Sequence, residues 1–312
     1  MSNTITLNSK IYIAGHKGMV GSACWRALKA KGYDNLIGYS SKELDLRDQR
    51  AVFEQLEKEK PDVIIDAAAK VGGILANSTY PYEFLMDNML IQNNLIKAAH
   101  ELDIPKFIFL GSSCIYPKMA PQPLKEEYLL TGPLEETNQW YAIAKISGVK
   151  LIEALRVQYG RDYVSLMPTN LYGPGDNYDL ETSHVLPAIL RKFHEAKENN
   201  HKDVVLWGTG TPKREFLHVD DLASVVVYAM ENKLEDSFYN VGSQFEVSIK
   251  ELAELIKEIV GHKGNIFWDK NKPDGTLRKK LDIKRINKLG EGLNAIDLKS
   301  GIKNLYKSIR WE

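Results

Sequence analysis

The chain has 312 residues, with 41 Lys+Arg against 41 Asp+Glu and 44% hydrophobic residues. That length and composition support one large domain or two interleaved ones and exclude a disordered chain. The balanced charge excludes a global basic field for nucleic acid or an anionic membrane, so any anionic ligand must be held by a local site.

Two cysteines, Cys24 and Cys114, are too few for a disulfide framework or a cysteine metal cluster. They fit a reducing compartment, with room for at most one disulfide. The opening MSNTITLNSKIYIAG pairs no basic segment with an apolar one, and no window reaches the ~18 apolar residues of a membrane span. A cytoplasmic protein with no nucleic acid, membrane or metal partner is expected.

In chain order, residues 10–14 read as a strand, 19–31 as a helix, 35–39 as a strand and 47–59 as a helix stopped by Pro61. A strand at 63–66, a long helix at 80–101, a strand at 106–110, a second long helix at 140–159 and a strand at 163–167 follow. Short β-branched runs between longer amphipathic ones build a parallel sheet covered by helices on both faces. The fold class expected is α/β, a Rossmann-type doubly wound parallel sheet with a smaller α/β domain.

Residues 170–179, rich in Gly, Pro, Asn and Asp, mark a loop and a domain boundary. Beyond them, 184–198 reads as a helix, 204–207 as a strand, 220–230 as a helix opened by acidic residues, and 238–241 as a strand. Ser248 with Glu251 three residues later forms a capping box for a helix at 248–260. The run Arg278-Lys279-Lys280 reads as solvated surface. No repeat, low-complexity tract or flexible linker interrupts the chain.

The first strand leads directly into Gly15-His16-Lys17-Gly18-Met19-Val20-Gly21. In this context the first glycine permits a tight turn, the second admits a pyrophosphate to the backbone, and the third lets the helix pack closely. After the second strand, Gly38-Tyr39-Ser40-Ser41-Lys42 places no carboxylate before Glu43. An acidic residue there would bind the 2′-hydroxyl of NAD. Lys42 and Lys17, with Ser40 or Ser41, instead suit a 2′-phosphate, so NADP(H) is favoured. Asp45, followed by Leu46, lies where an adenine amino group is met, and Asp66-Ala67-Ala68-Ala69 leaves room for a ribose.

Tyr141 and Lys145 lie four apart on a predicted helix and share a face. An ammonium near a phenol lowers its pKa and readies it for proton exchange with a substrate oxygen. Gly111-Ser112-Ser113-Cys114 follows the fourth strand beside them.

This combination resembles the extended short-chain dehydrogenase/reductases, which use a Ser or Thr after strand four with Tyr-x-x-x-Lys. The likeness covers residues 10–282 and includes the segments Ala67 to Ile74, Gly111 to Pro117, Pro168 to Pro174 and Arg214 to Asp221. The branch it points to epimerises C3 and C5 of GDP-4-keto-6-deoxy-D-mannose and reduces C4, giving GDP-L-fucose. By this resemblance Tyr141, Lys145 and Ser112 form the reductive set, and Cys114 and His184 exchange protons in the epimerisation. Pro168, Thr169, Asn170, Leu171, Lys145 and His184 line the nicotinamide side. Trp207, Arg214 and Asp274 contact the substrate. Lys192 stands where the family often has an arginine, keeping the charge but losing bidentate phosphate recognition. The division expected is 1–171 with 215–246 for NADP and 172–214 with 247–312 for the nucleotide sugar. A homodimer through 80–101 and 140–159 is also implied.

The C4 ketone makes the C3 and C5 protons acidic, so one oxygen-binding constellation serves every step. Cys as base with His as acid, or the reverse, both suit neutral pH. Three other readings are a reductase or epimerase of another GDP-4-keto-6-deoxy sugar such as a heptose, a non-catalytic NADP-sensing protein, and a nucleotide-sugar dehydratase. The intact Ser-Tyr-Lys set speaks against the sensor. No acidic residue near the tyrosine helix supports the dehydratase.

Overall fold

Unbroken apolar runs of four or five residues need cover on both faces, and the computed structural model, which describes residues 5–272, 274–289 and 295–311, provides it. The first elements are β1 (Ile11–Ala14), α1 (Met19–Ala30), β2 (Leu36–Ile37), α2 (Gln49–Glu59), β3 (Val63–Asp66), α3 (Ile74–Thr79) and α4 (Pro81–Glu101). Next come β4 (Lys106–Leu110), α5 (Gln139–Tyr159) and β5 (Asp162–Pro168). β1, β3 and β4 are buried at every position.

The chain continues through β6 (Asn170–Tyr172), α6 (Val185–Glu198), β7 (Asp203–Trp207), β8 (Lys213–His218), α7 (Val219–Glu231) and β9 (Phe238–Val241). Then β10 (Glu246–Ser248), α8 (Ile249–Val260), β11 (Asn265–Asp269), β12 (Arg278–Lys279), α9 (Lys284–Asn287) and α10 (Leu298–Ser308) complete it.

The main sheet runs β2-β1-β3-β4-β5-β9 with every pair parallel. This is the doubly wound sheet the sequence predicts. α1 packs with α7, and α4 with α5 and α2. The chain leaves β1 toward β2 and returns past it to β3. That reversal opens a crevice at the carboxyl ends of β1 and β3, where ligands of such sheets bind.

β5 runs almost directly into β6, which leaves the main sheet and pairs with β8. β8 also pairs antiparallel with β10 and parallel with β12, while β7 and β11 form a separate parallel pair. A second apolar cluster, distinct from the one around the main sheet, joins Leu190 and Phe193 of α6 to Leu252 and Ile256 of α8 and Ile302 of α10.

Several boundaries differ from expectation. The second strand has two residues, and Gly38 after it lies beneath the His16 ring, which a side chain there would strike. The segment 170–179 opens with a strand, and α3 precedes the long helix predicted at 80–101. α7 is capped by His218, whose Nδ1 accepts from the Asp220 amide, and the acidic residues occupy its first turn. The predicted capping box at Ser248 and Glu251 is present in full. Both cysteines are free thiols. Among the described residues no helix is long and apolar enough to cross a membrane, and no His, Cys, Asp and Glu group could hold a metal.

Candidate active site

Gly15 has φ +75°, and a Cβ there would lie 2.8 Å from the carbonyl oxygen of Ala67. This contact draws the loops after β1 and β3 together at the crevice. A Cβ on Gly21 would run into the Gly15 carbonyl, so its absence lets α1 seat on the turn. Met19 and Val20, both half-buried, open that helix.

The start of α1 has no side-chain cap at Gly18 and no acidic residue in its first turn. α2, α8 and α10 are capped by Asp48, Ser248 and Asp297. Uncapped amides at the positive end of the helix dipole make a cradle that fits a pyrophosphate.

Farther along the crevice the polar groups are partly committed. Lys17 and Lys42 are exposed. The Ser40 hydroxyl donates to Glu43 at 2.6 Å, so of the two serines considered for a 2′-phosphate, Ser40 is already engaged. His16 turns its ring onto Gly38 and Trp25, leaving its backbone to the turn. Asp45 accepts two bonds from the Arg47 guanidinium, at 3.0 and 2.9 Å, and the Leu46 carbonyl accepts from Asn94. Beyond Pro168 at the end of β5, Thr169 and Asn170 donate to the Glu215 carbonyl, which ties this segment and half-buried Leu171 to β8.

The predicted catalytic residues converge. Ser112 caps the short turn Ser113–Ile115 by accepting from the Cys114 amide, which leaves its own proton for another acceptor. Lys145 is 2% exposed, donates to the Leu110 carbonyl at 2.9 Å and lies 5.9 Å from the Tyr141 ring centre. Burial pushes its ammonium down to about 8, opposed by the carboxylate of Asp66. Asp66 is fully buried, and that burial pushes its carboxyl up to about 6.

The structure reverses one expectation. The Tyr141 phenol is raised, not lowered: burial is the largest cause, followed by Cys114 and Asp66. Desolvation disfavours the phenolate, and the Lys145 ammonium, one of whose donors goes to the Leu110 carbonyl, does not offset it. The phenol therefore stays protonated at neutral pH.

His184 sits immediately before α6 and is exposed. Desolvation, followed by Lys279, holds its imidazole below the ordinary value. The Lys279 Nζ itself lies 3.6 Å from the Cys114 Sγ, and the Asn138 amide lies 3.5 Å from it. The sequence placed Lys279 on a solvated surface and overlooked Asn138. No sequence pattern marked Lys279, because β12 has two residues; in the structure Arg278 pairs with Glu246 while Lys279 reaches Cys114.

Trp207 ends β7 with its indole half-exposed, and Lys192 and Lys272 lie 6.0 and 5.2 Å from its ring centre. Lys192 also donates to the Val205 carbonyl. Arg214 on β8 stands in register with Lys279, and burial lowers its guanidinium, opposed by Asp274 and Cys114. Asp274 accepts from the Thr209 amide and hydroxyl at 2.7 and 2.8 Å, so it also braces the turn after β7. Pro273, in the same predicted turn, lies outside the described residues.

The NAD dependent epimerase/dehydratase family matches residues 11–242. A putative GDP-L-fucose synthase 2 of Arabidopsis thaliana is 54% identical over 300 residues, covering 96% of this chain and 91% of that one. The GDP-L-fucose synthase of Escherichia coli (strain K12) is 52% identical over 307 residues, covering 96% and 95%. A solved GDP-mannoheptose C4 reductase from Campylobacter jejuni with NADP bound has a TM-score of 0.89 at 38% identity, covering 97% and 98%.

Proposed function

The chain belongs to the NAD dependent epimerase/dehydratase family, and from that premise we propose that it converts GDP-4-keto-6-deoxy-D-mannose to GDP-L-fucose with NADPH. The observation that carries this reading is the grouping of Ser112, Cys114, Tyr141 and Lys145, with the Lys279 charge at Cys114 also acting on His184. A simple reductase needs Tyr141 and Lys145, and the thiol and imidazole beside them suit proton exchange at carbon.

Loss of the C3 or C5 proton puts negative charge on the C4 oxygen, where the Ser112 hydroxyl and Tyr141 phenol stabilise it. Cys114 and His184 remove and return protons on opposite faces of the sugar. NADPH supplies the hydride for C4 when bound. Tyr141, kept protonated by burial, gives its proton to the C4 oxygen, and the Lys145 ammonium stabilises the phenolate left behind.

We assign residues 1–171 and 215–246 to NADP and 172–214 and 247–312 to the nucleotide sugar; the two apolar clusters follow this division except at Phe216, which packs in the second cluster, and at Leu281, Ile283 and Ile286, which pack against the main sheet. Trp207 offers a face for guanine, and Arg214 and Lys192 offer charge for the diphosphate. Half-exposed Met86 and Leu90 on α4 and Ile143 and Leu151 on α5 support a homodimer through these helices. A cytoplasmic location fits the two free thiols.

Incubating the protein with GDP-4-keto-6-deoxy-D-mannose and NADPH in deuterated water tests the function. NMR should find deuterium at C3 and C5, with one NADPH consumed per product. Reduction without deuterium would sink the epimerisation, and turnover confined to a GDP-4-keto-heptose would move the substrate to the heptose class.

The Lys145 ammonium also predicts a pH limb. Its pKa lies at about 8, so charge is present below that pH and lost above it. The kcat/KM for ketone reduction, which reports the free enzyme, should fall tenfold per pH unit above about 8. A profile flat to pH 10 would remove Lys145 from the rate-controlling set.

A further inference from the structure

We infer that Asp66, the last residue of β3, is a positioning residue for Lys145: its buried carboxylate is the counter-charge that keeps this lysine an ammonium, and it thereby sets the alkaline limit of ketone reduction. Asp66 is paired in register with Phe109 of β4, so the two side chains leave the same face of the sheet. α5 lies on that face, since a Cβ at its Gly148 would be 2.5 Å from the Phe109 ring. The Lys145 Nζ is 4.7 Å from the centre of the same ring. Carboxylate and ammonium thus share one compartment, with Asp66 fully buried and Lys145 2% exposed.

Neither group is saturated by its neighbours. Asp66 Oδ1 accepts from the Ala68 amide at 3.2 Å, and Oδ2 has no partner among the described residues. Lys145 directs one of its three donors to the Leu110 carbonyl. With no direct bond between them, the two charges attract through a buried medium that screens them far less than water does. Burial lowers Lys145 to about 8 and the Asp66 carboxylate opposes that fall; burial raises Asp66 to about 6 and Lys145 opposes the rise. Both are therefore charged at neutral pH. The other ionisable groups that Asp66 acts on, the Tyr12 phenol from β1 and the Tyr141 phenol from α5, are raised chiefly by burial and stay neutral. From α4, Gln92 brings a neutral amide to Ser147 of α5, and Asp87 is engaged by Lys70 and Arg47.

Asp66→Asn keeps an acceptor for the Ala68 amide and removes the charge. In full-length protein labelled with carbon-13 at lysine Cε, the resonance missing from Lys145→Arg belongs to Lys145, and its shift against pH reads the ammonium directly. A nearby opposite charge moves a pKa by about 1–3 units. The Lys145 midpoint should therefore fall from about 8 by at least about one unit in Asp66→Asn. The kcat/KM for reduction should follow, about fivefold slower at about pH 8 and nearly unchanged at about pH 6. Damage to packing alone would slow both and leave the midpoint in place. Coupling is reciprocal, so in Lys145→Met the Asp66 carboxyl, read with carbon-13-labelled aspartate, should rise above about 6. Circular dichroism checks the fold of each variant.

The catalytic consequence rests on the reduction proposed above, whereas the two midpoints are read without substrate. Unshifted midpoints in the folded variants would overturn the inference. A shifted Lys145 midpoint with an unmoved kcat/KM limb would overturn the claim that this charge sets the alkaline limit. Shifted midpoints in a protein that reduces no GDP-4-keto sugar would uphold the coupling of Asp66 to Lys145 and instead refute the substrate reading.

Discussion

Tyr141→Phe is expected to slow ketone reduction by about 10²–10⁴-fold, the usual worth of a positioned general acid. The argument starts from burial. The cleft raises the phenol, with Cys114 and Asp66 adding to the effect, so the proton needed at the C4 oxygen is in place at neutral pH. Phenylalanine keeps the ring and removes that proton. Lys145 does not depend on the hydroxyl for its position, because it donates to the Leu110 carbonyl and lies 4.7 Å from the Phe109 ring centre. The loss should therefore appear in kcat, with the affinity for GDP-sugar nearly unchanged. NADPH absorbance under saturating substrate measures it. A loss smaller than tenfold would assign the proton to another group, with the Ser112 hydroxyl the candidate.

Cys114→Ser is expected to cut deuterium exchange at C3 and C5 by about 10²–10⁴-fold while leaving reduction of an already epimerised substrate within a few-fold of wild type. The substitution conserves shape, and the bond from Ser112 goes to the Cys114 amide, so the turn keeps its cap. A hydroxyl ionises far less readily than a thiol of pKa about 8.5 and cannot serve as a base near pH 7. The split between exchange and hydride transfer is the informative result. Loss of both activities would indicate a damaged site, and retained exchange would remove the thiol from the proton transfer.

Of the elements that position the site, those of the cofactor half were legible and several of the second half were not. β1, β3, β4 and β5 carry apolar runs that announce themselves, and the glycine turn acts through neighbours a few residues away. β8 is different. Its Lys213, Arg214 and Glu215 look like loop. Glu215 is nevertheless fully buried, because its carboxylate accepts from the distant Gln244 and Leu281 amides. β10 and β12 have three and two residues, too short for a periodic pattern, and exist because β8 lies between them.

The doubly wound sheet, the glycine turn and the Tyr141–Lys145 pair each follow from spacing within one local stretch of chain and were readable there. The ionisation of Tyr141 and Lys145 comes instead from packing between distant segments. The expected acidic phenol became a retained proton because burial outweighs the Lys145 ammonium. Lys279, one of three consecutive basic residues, became the partner of Cys114 because strand pairing with β8 carries it across 165 residues to the sulfur. Spacing along a chain sets which side chains share a face, whereas desolvation and charge proximity arise only when distant segments pack.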